Sequence, residues 1–142
     1  MSQLSLFGPS YQLAGVMAAI RAAMRNAAGA EESEGRKMLV DRLNDLAAQS
    51  GIRLTSGNSP VISKATLDKW LSPSDVSHPP SILAVLVFYV VTADPAPLRA
   101  MLRSVGLDIM TEEDRRYRDL GKLDSEIRVA RKRRKLLEAS LQ

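Results

Sequence analysis

The chain of 142 residues contains no cysteine and only one histidine. Without thiols it can form neither disulfides nor thiolate metal sites, and a single histidine excludes a histidine-rich metal centre. The sequence also has no phosphate-binding loop, no glycine-rich dinucleotide turn and no nucleophile–base pair. The one histidine, His78, stands in a proline-rich loop and receives no catalytic role. We therefore expect no enzyme, no metal and no cofactor.

Aromatic residues make up only 4% of the chain, and no apolar run is long enough to span a membrane. The longest run, residues 82–91, is about half of what a spanning helix needs. The first residues lack the basic flank and apolar core of a secretory signal. With 45% apolar residues, we expect a cytoplasmic protein that has an aliphatic core and no membrane partner.

What the sequence does have is helical periodicity, which predicts an all-α fold. Apolar residues recur at intervals of three and four, and glycine or proline separates the segments. Residues 1–9 should form a flexible peptide, residues 10–110 a helical domain, and residues 111–142 a C-terminal helix. Within the domain, the segment at 82–92 is apolar nearly all round and should be the most buried helix. Arg21 and Arg25 lie one turn apart on the first helix; a solvated face or phosphate contact would explain them.

Residues 38–71 have the pattern of a helix-turn-helix with an enlarged turn. Ala47 and Gly51 match the end of its first helix, while Leu67 and Trp70 match the core of its second. The interval between these pairs is roughly ten residues longer than usual, and we expect a small β-hairpin within it, at 52–61. An ordinary helical pair without a DNA role is the alternative. In the DNA-binding interpretation, the residues that meet bases or phosphates are Ser63, Lys64, Ala65, Thr66 and Lys69.

A wider stretch supports this interpretation. The sequence ISKATLDKWLSP, a proline loop and then ILAVLVFYVVTADPAPLRAMLRSVG resemble phage regulatory proteins of the CII type and, more loosely, Cro-like repressor domains. The resemblance covers roughly residues 38–110, and the lengthened turn departs from it. It implies sequence-specific binding to double-stranded DNA as a dimer or tetramer.

A second resemblance lies at the N-terminus, directly before a Gly-Pro break. The sequence QLSLF is similar to the pentapeptide by which bacterial replication and repair proteins dock on the DNA polymerase sliding clamp, and all five positions match. An extended segment of this kind binds through a few buried apolar anchors. The alternative is an arm that packs on its own domain. The residues predicted to bind the clamp are Gln3, Leu4, Ser5, Leu6 and Phe7.

The C-terminal helix should begin at Thr111, a good N-cap, and continue to Leu141. Its apolar residues follow a three–four spacing that is typical of a short coiled coil, interrupted at Arg134. We expect homo-oligomerisation through this helix, with packing on its own domain as the alternative. Residues 128–135 hold six basic side chains and no acid, so a polyanion partner is expected. The predicted DNA contacts here are Arg131, Lys132, Arg133 and Lys135.

Taken together, these patterns favour a DNA-binding regulatory protein of phage type that its N-terminal peptide tethers to the sliding clamp. Two other functions remain open. One is a replication modulator that acts through the clamp, and the other is a protein-binding adaptor, such as an antitoxin, without sequence-specific DNA binding.

Overall fold

The computed structural model describes residues 13–30 and 33–141. The described residues are all-helical, with no β-strand. They divide into two compact units, one ending at Asp108 and the other starting at Ile109. A 3-10 turn at Leu13–Gly15 precedes six helices, which are α1 (Val16–Ala28), α2 (Glu34–Ser50), α3 (Lys64–Leu71), α4 (Ile82–Thr92), α5 (Ala96–Arg103) and α6 (Glu112–Ser140).

Helix α1 is central to the first unit, because it contacts α2, α3, α4 and α5. Its buried apolar residues Ile20, Met24 and Ala28 recur every four positions, so they form one stripe along the helix. The α-helix begins at Val16, directly after the 3-10 turn. The alanines on its other faces allow its neighbours to approach closely.

Helix α2 begins and ends where its local sequence predicts. At its start, the Ser33 hydroxyl accepts a hydrogen bond from the Arg36 amide. At its end, Gly51 adopts a left-handed conformation (φ 66°), and the amide of Ile52 donates to the carbonyl of Ala47. This is the Schellman arrangement, which satisfies carbonyls that a helix end would otherwise leave unpaired.

The predicted hairpin in the segment after Gly51 is wrong, since these residues form bends and no strand. The Asn44 side chain of α2 explains the difference. Its amide donates to the Ile62 carbonyl and its oxygen accepts from the Ile62 amide, both at 2.9 Å. A side chain thus takes the place of a partner strand. The buried residues Leu54 and Ile62 hold the rest of the segment against the core.

Helix α4 is only half buried, with four of its 11 residues buried and four exposed. Helix α3 has three of its eight residues buried and only two exposed, so the prediction that α4 is the most buried helix is wrong. One face, which includes Ala84 and Phe88, lies in the core, and the other presents large apolar side chains to solvent. A nearly uniform apolar sequence gives no periodic signal from which to choose the buried face. The exposed apolar residues of α4 are Ile82, Leu83, Leu86 and Val90.

Among the described residues, no helix is both long and apolar enough to cross a membrane.

Helix α6 confirms the prediction of a long C-terminal helix. Thr111 and Asp114 form a reciprocal capping box, in which each side chain accepts a hydrogen bond from the other residue's amide. The helix continues through Gly121 without a break. From residue 111 to residue 141, every side chain is exposed.

The Asn44 contacts lead to a stability prediction. Asn44→Ala should lower the free energy of unfolding by about 1–3 kcal/mol, because it leaves both main-chain groups of the buried Ile62 without partners. Urea unfolding, followed by the fluorescence of the single tryptophan, Trp70, measures this change. Gln49→Ala, an exposed change on the same helix, is the control and should shift stability by less than about 0.5 kcal/mol. Equal effects of the two changes would contradict the proposed role of Asn44.

Candidate nucleic-acid interface

Helix α3 has one face in the core and one in solvent. Leu67, Trp70 and Leu71 are each at most 3% exposed, so this short helix is anchored over its whole length. Ala65 and Lys69, which are four residues apart, lie on the opposite side and are exposed. Two of the predicted DNA-binding residues therefore share the outer face of α3.

The N-terminal end of α3 holds two more predicted residues, Ser63 and Thr66. The Ser63 hydroxyl accepts from the Thr66 amide at 3.2 Å and lies 3.3 Å from the Thr66 hydroxyl. Ser63 is thus the N-cap, as its sequence position predicts. Ser63 is exposed and Thr66 partly exposed. Because the preceding residue, Ile62, is fixed to α2 by Asn44, this end of the helix has a defined position.

Lys64, the remaining predicted residue, belongs to a charge network on the side of α3. Its ammonium lies 2.9 Å from the carboxylate of Asp68, which is also 3.0 Å from the guanidinium of Arg36. Arg36 is only 6% exposed and also donates to the Gly29 carbonyl at 2.7 Å. Lys64 is therefore partly neutralised within the protein. Lys69 has no ion-pair partner in the part of the chain that the structure describes, so it is the available cation of α3.

Two arginines of α1 hold the C-terminal end of α3. Arg21 is 4% exposed, and its guanidinium donates to the carbonyls of Ser72 and Asp75 at 2.5 Å and of Lys69 at 3.4 Å. Arg25 donates to the carbonyl of Leu71 at 2.6 Å. A cation at this end also interacts favourably with the helix dipole. The prediction of a solvated or phosphate-binding face is therefore wrong, because both arginines are directed at main-chain carbonyls.

The loop after α3 is held by the Asp75 carboxylate, which is 18% exposed. Desolvation raises the pKa of Asp75. Hydrogen bonds from the amides of His78 and Ser77 and from the His78 imidazole lower it by more, so the pKa of Asp75 lies below its ordinary value. The His78 Nδ1 atom faces both Asp75 and the Ser77 hydroxyl. A proton relay needs these groups on opposite ring nitrogens. The cluster is therefore a turn rather than a catalytic triad.

Beside the outer face of α3 lies an open cleft of about 530 Å³. Arg25 and Arg36 line it, but both donate to groups of the protein itself. Lys69 also lines it, is exposed and can contribute a charge to an external ligand. The described residues contain no group of three or more histidine or carboxylate side chains that could hold a metal ion.

The other predicted DNA contacts, Arg131, Lys132, Arg133 and Lys135, lie on α6 in the second unit, and all four are exposed. The structure thus places the predicted basic residues in two sets, one on each unit. The predicted clamp-binding residues, Gln3 to Phe7, lie outside the described residues.

Comparison of the chain with protein-family models, curated proteins and solved structures gave no match.

Three of the residues that position α3 have no local signal in the sequence. Asn44, Arg36 and Asp68 act across elements that are far apart in the chain, so no local spacing marks them. A usable signal existed only for Arg21 and Arg25. They follow the buried stripe of α1 closely, and α3 ends before a proline with carbonyls that need donors.

This arrangement predicts that Arg21 is essential for the placement of α3. Arg21→Ala should lower the free energy of unfolding by about 3 kcal/mol, because the Ser72 and Asp75 carbonyls lose charged hydrogen bonds. Arg42→Ala removes an exposed arginine from the neighbouring helix and should change stability by less than about 0.5 kcal/mol. Denaturant unfolding with Trp70 as the probe compares the two. If both variants unfold at the same denaturant concentration, Arg21 does not have this role.

Proposed function

We propose that the protein is a DNA-binding regulatory protein whose α3 helix enters the major groove of double-stranded DNA. The observation that carries this proposal is the division of α3 into an anchored inner face and a free outer face with Ala65 and Lys69. An eight-residue helix is about 12 Å long, and the major groove is about 12 Å wide. The outer face is therefore of a suitable size to lie in the groove.

The fixed position of α3 supports the same proposal. Sequence is read by side chains that reach base edges from a precisely held helix. Helices α1, α2 and α3 contact one another, as the helices of a DNA-reading domain do. Ser63 and Asn44 hold one end of α3, and Arg21 and Arg25 hold the other. The segment of 13 residues between α2 and α3 is long, but its buried anchors keep it in place.

The residues of α3 then have different roles in the proposed complex. Lys69 approaches a phosphate or a guanine edge, and the small Ala65 allows close approach and can contact a thymine methyl. Ser63 and Thr66 offer hydroxyls near the helix N-terminus, where phosphates bind favourably. Lys64 adds less charge, because Asp68 already pairs with it.

The proposed regulator acts as a homo-oligomer through α6. A two-fold DNA site is read by two copies of a domain, so a means of pairing is required. Helix α6 is long, has apolar residues at coiled-coil spacing and is exposed throughout. Its cluster of basic residues, which includes Lys132 and Lys135, supplies additional contacts to phosphates.

Lys69→Ala tests the proposed interface. A duplex is first selected from a randomised library with the wild-type chain, and binding is then followed by fluorescence anisotropy at several salt concentrations. Affinity should fall about tenfold, and the salt dependence should lose about one unit of slope, because one cation is removed. Lys37→Ala is the matched control: it removes the same charge from α2, where Lys37 pairs with Glu34 at 3.5 Å, and should leave affinity nearly unchanged.

The proposal fails if the wild-type chain selects no duplex, or if Lys69→Ala binds as tightly as the wild type. Loss of all DNA affinity together with a stable stoichiometric protein partner would instead favour the adaptor function.

A second candidate function rests on the N-terminal pentapeptide alone. We propose that Gln3 to Phe7 tether the chain to a bacterial sliding clamp, because all five positions agree with the clamp-binding pattern.

Purified clamp should be retained by the immobilised wild-type chain but not by the Leu6→Ala, Phe7→Ala variant, since the two apolar anchors are removed. The experiment is done without DNA. Equal retention by both chains, or by neither, would exclude the tether, while an unchanged thermal unfolding curve confirms that the variant is folded.

A further inference from the structure

Helix α6 carries an apolar row that its own unit does not bury. Leu120, Leu123, Ile127 and Leu137 are between 47% and 60% exposed. With Ala130, Arg134 and Leu141 they follow one another at alternating intervals of three and four, which places them on one face. Rows of this kind are stabilised by a second helix that covers them.

The charges of α6 are divided along its length. Residues 112–126 hold six acidic and four basic side chains, whereas residues 127–141 hold one acidic and six basic side chains. The first half therefore has a net charge of −2 and the second a net charge of +5. Two such helices attract each other most strongly when the acidic half of one lies beside the basic half of the other.

We propose that a second copy of this chain docks on α6 in antiparallel orientation. The inference deepens the homo-oligomer of the proposed function by naming the partner's orientation and register. The register that aligns the apolar rows pairs Leu120 with the partner's Leu137 and Ile127 with the partner's Ala130. Arg134 then meets the partner's Leu123. Every apolar residue of this row from Leu120 to Leu137 has an apolar neighbour or an aliphatic stem opposite it.

The side chains that flank the row agree with this register. Asp124 lies beside the partner's Arg131, and Glu126 beside the partner's Arg133, which gives four attractive pairs by symmetry. None of these four residues has an ion-pair partner within the described part of the chain.

A parallel pair is less favourable for two reasons. Arg134 would face the partner's Arg134 in the centre of the row, and Asp119 would face the partner's Asp124 at its edge. Like charges at these positions oppose association. In the antiparallel register, neither repulsion occurs.

The antiparallel pair also separates two roles among the basic residues of α6. Arg131 and Arg133 pair with the partner's carboxylates and are no longer free for phosphates. Arg128, Lys132 and Lys135 lie on the outer side, at intervals of four and three, and form one stripe. This stripe is the surface that can contact a polyanion.

Distances between spin labels test the orientation directly. Because the chain has no cysteine, Arg118→Cys and Ala139→Cys each provide a single labelling site on the outer side of α6. In the antiparallel register, like labels lie roughly 32 Å apart along the axis, at 1.5 Å per residue. A mixed dimer of the two variants brings its labels to the same level, within roughly 20 Å across the pair.

The proposal predicts long distances for each variant alone and a short distance in the mixture. The opposite pattern would establish a parallel pair, and a monomer by sedimentation at micromolar concentration would also overturn the proposal. The measurement uses the full chain without DNA. It therefore gives the same answer whether or not α3 binds a duplex.

Charge reversal tests the register. The variants Asp124→Lys with Glu126→Lys, and Arg131→Glu with Arg133→Glu, should each dimerise at least about tenfold more weakly than the wild type, since every flanking pair becomes repulsive. Their equimolar mixture should regain wild-type association, which also excludes misfolding as the cause. Lys122→Glu with Lys135→Glu changes outward-facing residues and should leave dimerisation intact. Wild-type association by both reversed variants would contradict the register.

Discussion

The buried guanidinium of Arg21 is the constraint on which the first unit depends. Placing a cation at 4% exposure is costly unless its donors are satisfied. The carbonyls of Lys69, Ser72 and Asp75, which the end of α3 and the following loop leave unpaired, all accept from its Nη1 atom. Its Nε atom is buried and has no hydrogen-bond partner among the described residues. The arginine and the helix end therefore stabilise each other. An isolated helix of eight residues is unstable in water, so α3 persists because α1 holds it.

The same interactions determine which part of α3 is available for function. Its inner face is buried, and its two ends are held by Ser63 and Arg21. On one side Asp68 joins Lys64 to Arg36. What remains exposed is the outer face with Ala65 and Lys69. Ala65 is a small side chain, and Lys69 places a positive charge nearer the C-terminal end of the helix. A helix presented in this way loses little conformational entropy on binding, because its position is fixed beforehand.

Features with local causes could be predicted from the sequence. The caps at Ser63, Gly51 and Thr111 depend on contacts within five residues, so their positions follow from the chain itself. The prediction of a hairpin was wrong because the main chain of Ile62 forms hydrogen bonds with the side chain of Asn44, 18 residues away. Among the predicted site residues of α3, Ala65 and Lys69 are exposed. The pairing of Lys64 with Asp68 is a local i,i+4 contact that the sequence could have indicated. The second cation on Asp68, Arg36, could not be foreseen, because it is 32 residues distant from Asp68.

The face of α4 and the environment of Arg21 and Arg25 were missed for a related reason. Periodicity identifies a buried face only when polar residues mark the opposite one, and α4 has none to do so. Conversely, two arginines one turn apart mark a solvated face in most helices. Here the carbonyls at the end of α3 are the partners, and their position is a property of the tertiary fold. The segment of α4 does not show which face is buried, and the segment of α1 shows only that the two arginines lie next to its buried stripe, not which carbonyls they bind.

Arg134 shows how an apparent defect in the row of α6 is compatible with association. Its guanidinium lies 2.8 Å from the Glu138 carboxylate of the same helix, so its charge is balanced before a partner arrives. The aliphatic stem remains available to cover Leu123 of a second copy. In a parallel pair, Glu138 would also lie beside the partner's Arg133. Its carboxylate would then have to balance both Arg134 of its own helix and the partner's Arg133, while the partner's Arg134 lies nearby. Antiparallel pairing leaves Glu138 to Arg134 and gives Arg133 its own partner in Glu126. The internal ion pair and the free flanking charges therefore favour the same orientation.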